Sequence, residues 1–412
     1  MLVVQKFGGS SVANAERVFN VAGRIAETYD KGNEVVVILS AQGDTTDDLI
    51  EKAHEINPNP SKREMDMLLS TGEQQSVALM AMALQKMGYN AVSLNAFQVG
   101  IATTSVYSNA KIKTIGRERI RQELDRKNIV LVTGFQGINK FDDITTLGRG
   151  GSDTSAVAIA AVLGADLCEI YTDVDGVYTA DPRIVKDARK LDEIGYSEMA
   201  ELASLGAKVL HTRSVEVAQK YGVELVVRSS LTREEGTVVK EDSKVEKMLI
   251  SGVTSEKDQA IITIRGIEDQ PGSAFEVFSI LEKHNISVDI IVQSNGANNT
   301  TAISFTVSAG DKDEAVKILE ENRHLIHAQD ITSTTGAAKV SIVGAGMATH
   351  PGVASLMFEA LYDAGANIKM ISTSEIKISV VVDEKDVENS IVAIHDKFNL
   401  ASANMRKAKK QI

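Results

Sequence analysis

The 412-residue sequence has no tryptophan, a single cysteine (Cys168) and only 4% aromatic residues. A lone thiol excludes an internal disulfide framework and any multi-thiolate metal centre. So few aromatics leave little on which exposed bases could stack. No segment approaches the ~20 uninterrupted apolar residues that a membrane helix requires. Met1 leads straight into strand-like residues, without the basic region and small-residue cleavage site of a signal peptide. A cytoplasmic protein is therefore expected. Acidic residues outnumber basic ones 56 to 44, a net charge of −12, which disfavours nucleic acid and anionic membranes as partners. A local cationic pocket for a small anion stays compatible with that average. The seven histidines show no metal-ligand spacing, so no protein metal site is expected.

What is present is an ordinary globular balance, 43% apolar and 24% charged, on a chain long enough for roughly two or three domains. Over the first 230 residues, short β-branched runs at 2–5, 35–39, 91–94, 129–133, 167–171 and 223–228 alternate with helical stretches such as 12–29 and 64–87. Continuous apolar strands separated by helices predict an α/β/α sandwich around a mainly parallel sheet. A polar, charged stretch from Ser229 to Lys247 then reads as the way out of this domain.

The rest of the chain repeats itself at an offset of 80. Pro271-Gly272 is echoed by Pro351-Gly352, Ala274 by Ala354, Phe278 by Phe358, Leu281 by Leu361, Ile291 by Ile371 and Ser294 by Ser374. Each copy reads strand, Pro-Gly turn, amphipathic helix, two strands and a second helix, a βαββαβ unit present twice. The expected domains are a catalytic 1–230, a linker 231–247, and small units at 248–330 and 331–412. Each Pro-Gly turn opens a helix whose N–H groups suit a carboxylate; each unit could equally be a dimerisation module.

Three clusters have the composition of chemistry. Lys6-Phe7-Gly8-Gly9-Ser10-Ser11 sits between the first strand and a helix. Paired glycines let backbone approach phosphates closely, and a preceding lysine adds a cation, although the P-loop spacing is absent. A plain strand-to-helix turn would look the same. Gly148-Arg149-Gly150-Gly151-Ser152-Asp153 precedes a small-residue helix. Helix capping explains Ser152 or Asp153, but an arginine between glycines suits bidentate capture of a carboxylate. The run from Tyr171 through Thr172, Asp173 and Tyr178 to Arg183 follows a core strand, with Arg183 available for phosphate and Tyr178 for a base. Glu73, in a Ser-Thr-Gly-Glu run, could meet a substrate ammonium, although capping is the commoner use of that composition, and Ser40 and Thr45 could hydrogen-bond substrate or simply shape a turn. Lys208 could be a second nucleotide cation or merely a surface lysine.

Together these residues resemble the amino-acid kinase fold family and, within it, the aspartokinases. KFGGSSV at 6–12, GRGGSDTSA around Arg149, YTDVDGVYTADPR from Tyr171 and EMAELASLGAKVLH before RSVE stand in the expected order. The repeats are similar to ACT domains through VDIIVQ from Val288, PGVA from Pro351 and ISTSEIKIS from Ile371. The resemblance implies phosphorylation of the β-carboxylate of L-aspartate by ATP, the opening step towards lysine, threonine and methionine. Lys6, Asp153 and Arg149 would be catalytic. The nucleotide would meet Lys6, Phe7, Gly8, Gly9, Thr172, Asp173, Tyr178, Thr179, Ala180, Asp181, Pro182, Arg183, Lys208 and Val209. Aspartate would meet Thr45, Glu73, Arg149, Gly150, Gly151 and Ser152. Mg²⁺ would be held mainly through ATP. Lysine, threonine or both would bind the repeats at Asp269, Ser287, Val288, Asp289 and Gln293 and at Val353, Ala354, Asn367, Ile368, Thr373 and Ser374. A homodimer or higher homo-oligomer through these units is expected. Gln42 and Thr212 depart from the family pattern, where an apolar residue and a proline are usual; neither carries an assigned role. A kinase for glutamate or N-acetylglutamate, and a non-catalytic amino-acid sensor, are the competing readings.

Overall fold

The computed structural model of the protein describes residues 1–207, 209–241, 250–296, 299–347 and 350–401. Among them two compact units are distinguished. The first contains Met1–Val177, Lys190–Ser204 and residues 209–241; the second contains Tyr178–Arg189, Leu205–Ala207 and residues 250–401.

The first unit opens with β1 (Leu2–Phe7), α1 (Ala15–Asp30), β2 (Glu34–Leu39), α2 (Thr45–Ile56), α3 (Lys62–Lys86) and β3 (Ala91–Leu94). It continues through α4 (Ala96–Val99), β4 (Ile101–Thr103), β5 (Ile112–Ile115), α5 (Glu118–Asp125), β6 (Ile129–Thr133), β7 (Gln136–Ile138) and β8 (Ile144–Thr146). It closes with α6 (Gly151–Leu163), β9 (Leu167–Thr172), β10 (Glu193–Gly195), α7 (Tyr196–Leu202), α8 (Thr212–Tyr221), β11 (Leu225–Ser229) and β12 (Thr237–Lys240). Eight strands form one sheet in the order β10-β12-β11-β9-β1-β2-β6-β3, and every pairing except β11–β12 is parallel. Strands this apolar need cover on both faces. Helices α1 and α3 pack a core of Phe7, Val21, Ile25, Val37, Leu39 and Met80 on one face, and α5 and α6 lie on the other. A four-stranded sheet, β5-β4-β7-β8, stands beside it.

The structure moves some boundaries. The helix expected from residue 12 is a 3₁₀ turn, Gly9–Val12, followed by α1, because Asn14 caps the N–H of Arg17 at 3.0 Å. Residues 237–240, expected within the linker, form β12, since Thr237 and Val239 alternate inward against β11. Residues 242–247 of that linker lie outside the described residues.

In the second unit, β13 (Gly252–Glu268), α9 (Ser273–Lys283), β14 (Ile291–Asn295), β15 (Thr300–Ser308) and α10 (Lys312–Glu321) make the first repeat. Then come β16 (Asp330–Val343), α11 (Val353–Asp363), β17 (Met370–Thr373), β18 (Lys377–Asp383) and α12 (Val387–Lys397). All six strands share one antiparallel sheet, β14-β15-β13-β16-β18-β17, curved so that the outer strands β14 and β17 approach each other. β13 and β16 are long enough to serve both repeats. The first part of β13 pairs with the end of β16 (Val253↔Ile342), and its later part with the start (Ile264↔Ile331). Consequently Ile250 and Val253 pack with Val340, Met357, Leu361 and Ile391 in the second repeat's core, while Ile262, Ile264, Val277 and Phe305 fill the first. The second repeat thus takes its closing strand from residues ahead of the first. Tyr178–Arg189 packs in that second core: Thr179 Oγ1 meets His395 Nε2 at 3.0 Å, Val253 N–H donates to Thr179 O at 2.8 Å, and Ala180 and Val185 are buried.

Candidate active site

Parallel strands place their carboxyl ends along one edge of the sheet, where open α/β folds bind ligands. In the first unit, β1, β2, β6, β9 and β11 all end there, in register through Phe7↔Leu39, Leu39↔Thr133, Phe7↔Tyr171 and Tyr171↔Arg228.

β1 delivers Lys6, Phe7, Gly8 and Gly9 to this edge. Lys6 Nζ lies 2.6 Å from Asp153 Oδ1, and both side chains are nearly buried. Asp153 stands in the first turn of α6, where the helix dipole favours a carboxylate. A Cβ on Gly9 would fall 2.5 Å from Ala41 O, so only glycine lets the turns after β1 and β2 come this close.

Helix α3 presents a buried polar stripe at helical spacing, Asp66, Ser70 and Glu73. Asp66 is saturated, accepting from the N–H and hydroxyl of both Ser108 and Thr146 at 2.8–3.2 Å, and pins α3 to β8. Glu73 is the contrast. It is 3% exposed; its Oε1 accepts from Ala41 N–H at 3.1 Å, whereas its buried Oε2 has no hydrogen-bond partner among the described residues. Burial pushes its carboxyl up to about 7, against the opposing pull of the Ala41 N–H. A buried carboxylate with one open oxygen is prepared for a cation. Thr45 starts α2 nearby: the position of a Cβ on Gly72 would be 2.7 Å from Ala41 Cβ and 3.6 Å from Thr45 Cγ2. The Thr45 hydroxyl donates to Gln42 O at 2.6 Å.

The loop between β8 and α6 is fastened from outside. Arg213 donates to Leu147 O at 2.7 Å and to Ala110 O at 3.1 Å. Gly150 has φ 67°, and a Cβ there would collide with the His211 ring at 2.2 Å. Gly151 and the buried Ser152 begin α6, with Ser152 packed against Gly134 at the end of β6. Arg149 at the tip is exposed and has no ion-pair partner among the described residues, the state required of a residue that receives a carboxylate.

At the end of β9, Thr172 Oγ1 donates to Asp173 Oδ1 at 2.9 Å, and Ser230 N–H donates to Thr172 O at 2.8 Å. Phe7 stacks on Tyr171 at 4.5 Å between ring centres, and Gly8 N–H donates to Tyr171 O. Lys6, Phe7, Gly8, Gly9, Thr172, Asp173, Thr45, Glu73, Gly151, Ser152 and Asp153 are thus brought to the same edge. Tyr178, Thr179, Ala180, Asp181, Pro182 and Arg183 belong to the second unit. There Thr179 and Ala180 are buried, and Arg183 folds onto Asp181 at 2.7–3.1 Å. Val209 is half-buried, and Lys208 lies outside the described residues.

Sequence reasoning missed Arg213, Asp66, Gly134 and the Ala41 N–H. For Asp66 a signal existed, since polar residues at 66, 70 and 73 in a largely apolar helix mark one face. For Arg213 and Ala41 there was none, because their roles are backbone contacts across long sequence separations.

In the second unit, Ser287, Val288, Asp289 and Gln293 lie on and before β14, and Asn367, Ile368, Thr373 and Ser374 occupy the equivalent places around β17. The approach of these two strands brings the two segments near each other. Val353 and Ala354 open α11. Asp269 lines an open pocket of about 890 Å³ with Gln270, Asn299, Glu320 and His324. Asp289 is bonded by Lys339, which also lies 2.8 Å from Glu256. A lysine this buried needs counter-ions, and burial alone would lower its pKa; the bonds to Asp289 and Glu256 outweigh burial and hold it above its ordinary value.

Among the described residues no helix is long and apolar enough to cross a membrane. Residues 1–229 match the model of the amino acid kinase family, and residues 262–322 and 340–398 match that of the ACT domain. The chain is 50% identical over 406 residues to the aspartokinase of Bacillus sp. (strain MGA3), spanning 98% of this chain and 99% of that one. Its structure is similar to E. coli aspartokinase III in complex with aspartate and ADP (R-state), with TM-score 0.80 at 26% identity over 96% of this chain and 99% of that one. It is also similar to the same enzyme in complex with lysine and aspartate (T-state), with TM-score 0.76 at 26% identity and the same coverage.

Proposed function

The chain belongs to the aspartokinases, ACT-bearing kinases of the amino acid kinase family, and from that premise we propose that it transfers the γ-phosphoryl group of ATP to the β-carboxylate of L-aspartate. The observation that carries the substrate assignment is Glu73, a buried carboxylate with one open oxygen. A free α-ammonium satisfies it; an acylated amine does not. Arg149, unpaired and exposed, takes the α-carboxylate as a bidentate fork. Gly150, Gly151, Ser152 and Thr45 border the same substrate.

The β-carboxylate is ionised at neutral pH, so the transfer needs no general base. Its barrier is the meeting of two anions, and positive potential placed where charge concentrates lowers it. Lys6, held at 2.6 Å by Asp153, supplies that potential beside the glycine pair, and the N–H groups at the start of α6 add to it. Phe7, Gly8, Gly9, Thr172 and Asp173 border the nucleotide on the first unit. We assign to the nucleotide, by resemblance, also Tyr178, Thr179, Ala180, Asp181, Pro182, Arg183, Lys208 and Val209. Mg²⁺, when bound, neutralises phosphate charge; with Asp153 already committed to Lys6, its ligands here are chiefly ATP oxygens and water.

We further propose that the repeats are the regulatory half and bind lysine, threonine or both, a reading supported by the lysine complex of the E. coli relative. The segments 287–293 and 367–374 are the place, with Asp269 the carboxylate open to an effector ammonium and Asp289 already engaged by Lys339. The exposed apolar residues Phe275, Ile291, Tyr362 and Ile371 suit self-association through these repeats, and the compartment is the cytoplasm. The acyl phosphate would enter the route to lysine, threonine and methionine.

The catalytic assignment is tested on Lys6→Ala. Loss of a charge at the transferring phosphoryl group costs on the order of 3 kcal/mol, a hundredfold or more in kcat. The variant should keep the parent's circular dichroism and a cooperative melt, at a lowered melting temperature because Asp153 loses its partner; a kcat near the parent's contradicts the role.

A further inference from the structure

The face of the first unit's sheet that α1 covers carries a second polar cavity, of about 330 Å³, outside the edge described above. Its lining includes Arg24 and Lys31 of α1 and its C-cap, Tyr171 of β9, Arg228 of β11 and Arg233 after it. Three carboxylates also line it, and each has a cation nearby. Glu27 pairs with Arg233 at 2.8 Å and Glu169 with Arg228 at 3.0 Å, while Glu234 lies 3.5 Å from Lys190, a lysine it shares with Asp175. Arg24 and Lys31 remain, with no direct ion pair among the described residues, although the Glu27 charge acts on Arg24 from a distance.

Arg24 is the informative one. It is 5% exposed, its guanidinium lies 5.4 Å over the Tyr171 ring, and Nη2 donates to Thr232 O. Its buried Nε has no acceptor among the described residues. Burial and the nearby Arg233 charge hold its pKa below the ordinary guanidinium value. A buried cation without a direct ion pair is costly, and a buried donor without an acceptor calls for a ligand or water.

We infer that this cavity is an anion site that takes the phosphoryl group of a small metabolite. Two cations without a direct ion pair suit a dianion, and a guanidinium edge suits phosphate oxygens. The cavity is larger than inorganic phosphate and within the range of small-molecule sites, leaving room for an organic remainder. Through Arg24 on Tyr171 and Tyr171 stacked on Phe7, the site adjoins the inner side of the strand that carries Lys6.

The test is thermal melting of the full chain against inorganic phosphate, at constant ionic strength with chloride as the reference anion. A saturable rise in melting temperature is expected for the parent protein. Its phosphate midpoint should rise tenfold or more in Arg24→Gln and severalfold in Lys31→Ala, an exposed position whose loss leaves the fold intact if Arg24→Gln does not fold. Phosphate could also bind at the glycine pair, so Lys6→Ala is the control, with an unchanged midpoint expected. A parent response no larger than with chloride, a response abolished in Lys6→Ala, or an unaltered midpoint in Lys31→Ala overturns the inference.

Discussion

At the scale of single residues, the role proposed for Glu73 would couple stability to function. Its carboxyl lies near 7 in the free protein because burial disfavours the charged form. The folded state therefore holds a proton that the unfolded chain has already released. Stability from this group is full below about pH 4.5 and is lost as pH rises towards 7; the interval corresponds to on the order of 3 kcal/mol. Glu73→Gln keeps the acceptor for Ala41 N–H and removes the charge. It should therefore melt higher than the parent at pH 8, by the equivalent of about 1–3 kcal/mol, with the gap closing towards pH 5. On the proposed reading the same variant loses the partner of the substrate ammonium, so its KM for aspartate should be raised and nearly flat with pH, whereas the parent's KM should rise as pH falls from 8 to 6. Denaturant melts and initial rates at the three pH values check both; a variant less stable than the parent at pH 8 with an unchanged KM contradicts the role. Lys6 and Glu73 could both be singled out from the sequence as candidates. The contrast between satisfied Asp66 and open Glu73 was not, because it depends on which backbone N–H groups the fold brings to each.

At the scale of elements, the parallel strands and the repeat were readable because their signals are local: continuous β-branched runs, and an offset of 80 that keeps apolar positions aligned. What escaped was sharing between elements. That β13 and β16 each serve two repeats, and that Thr179 and Ala180 lie in the core around Ile391, arise from pairings over long sequence distances that no local pattern records. The β8–α6 loop shows the same dependence. Its arginine between glycines was visible, but its anchor Arg213 stands at the start of α8, 64 positions on from Arg149. Arg213→Ala leaves the Leu147 and Ala110 carbonyls without that donor, which costs about 1–3 kcal/mol of local stability. Aspartate KM is expected to rise at least fivefold with a smaller change in the KM for ATP. Steady-state kinetics with each substrate varied decides it; equal effects on both would place the loop elsewhere in the mechanism.

At the scale of the whole molecule, a unit with the charge constellation of phosphoryl transfer is encoded with a second unit built from a duplicated ACT repeat. The central claim is that one chain makes an acyl phosphate from aspartate and answers to amino acids through its second unit. The direct measurement is hydroxylamine trapping with purified full-length protein, Mg·ATP and L-aspartate, in the presence and absence of millimolar lysine and threonine. Hydroxamate should form with aspartate and fall when an effector is added. No hydroxamate with aspartate, or an equal yield with N-acetylglutamate, would contradict the assignment of substrate and site, and a yield indifferent to both amino acids would contradict the regulatory half.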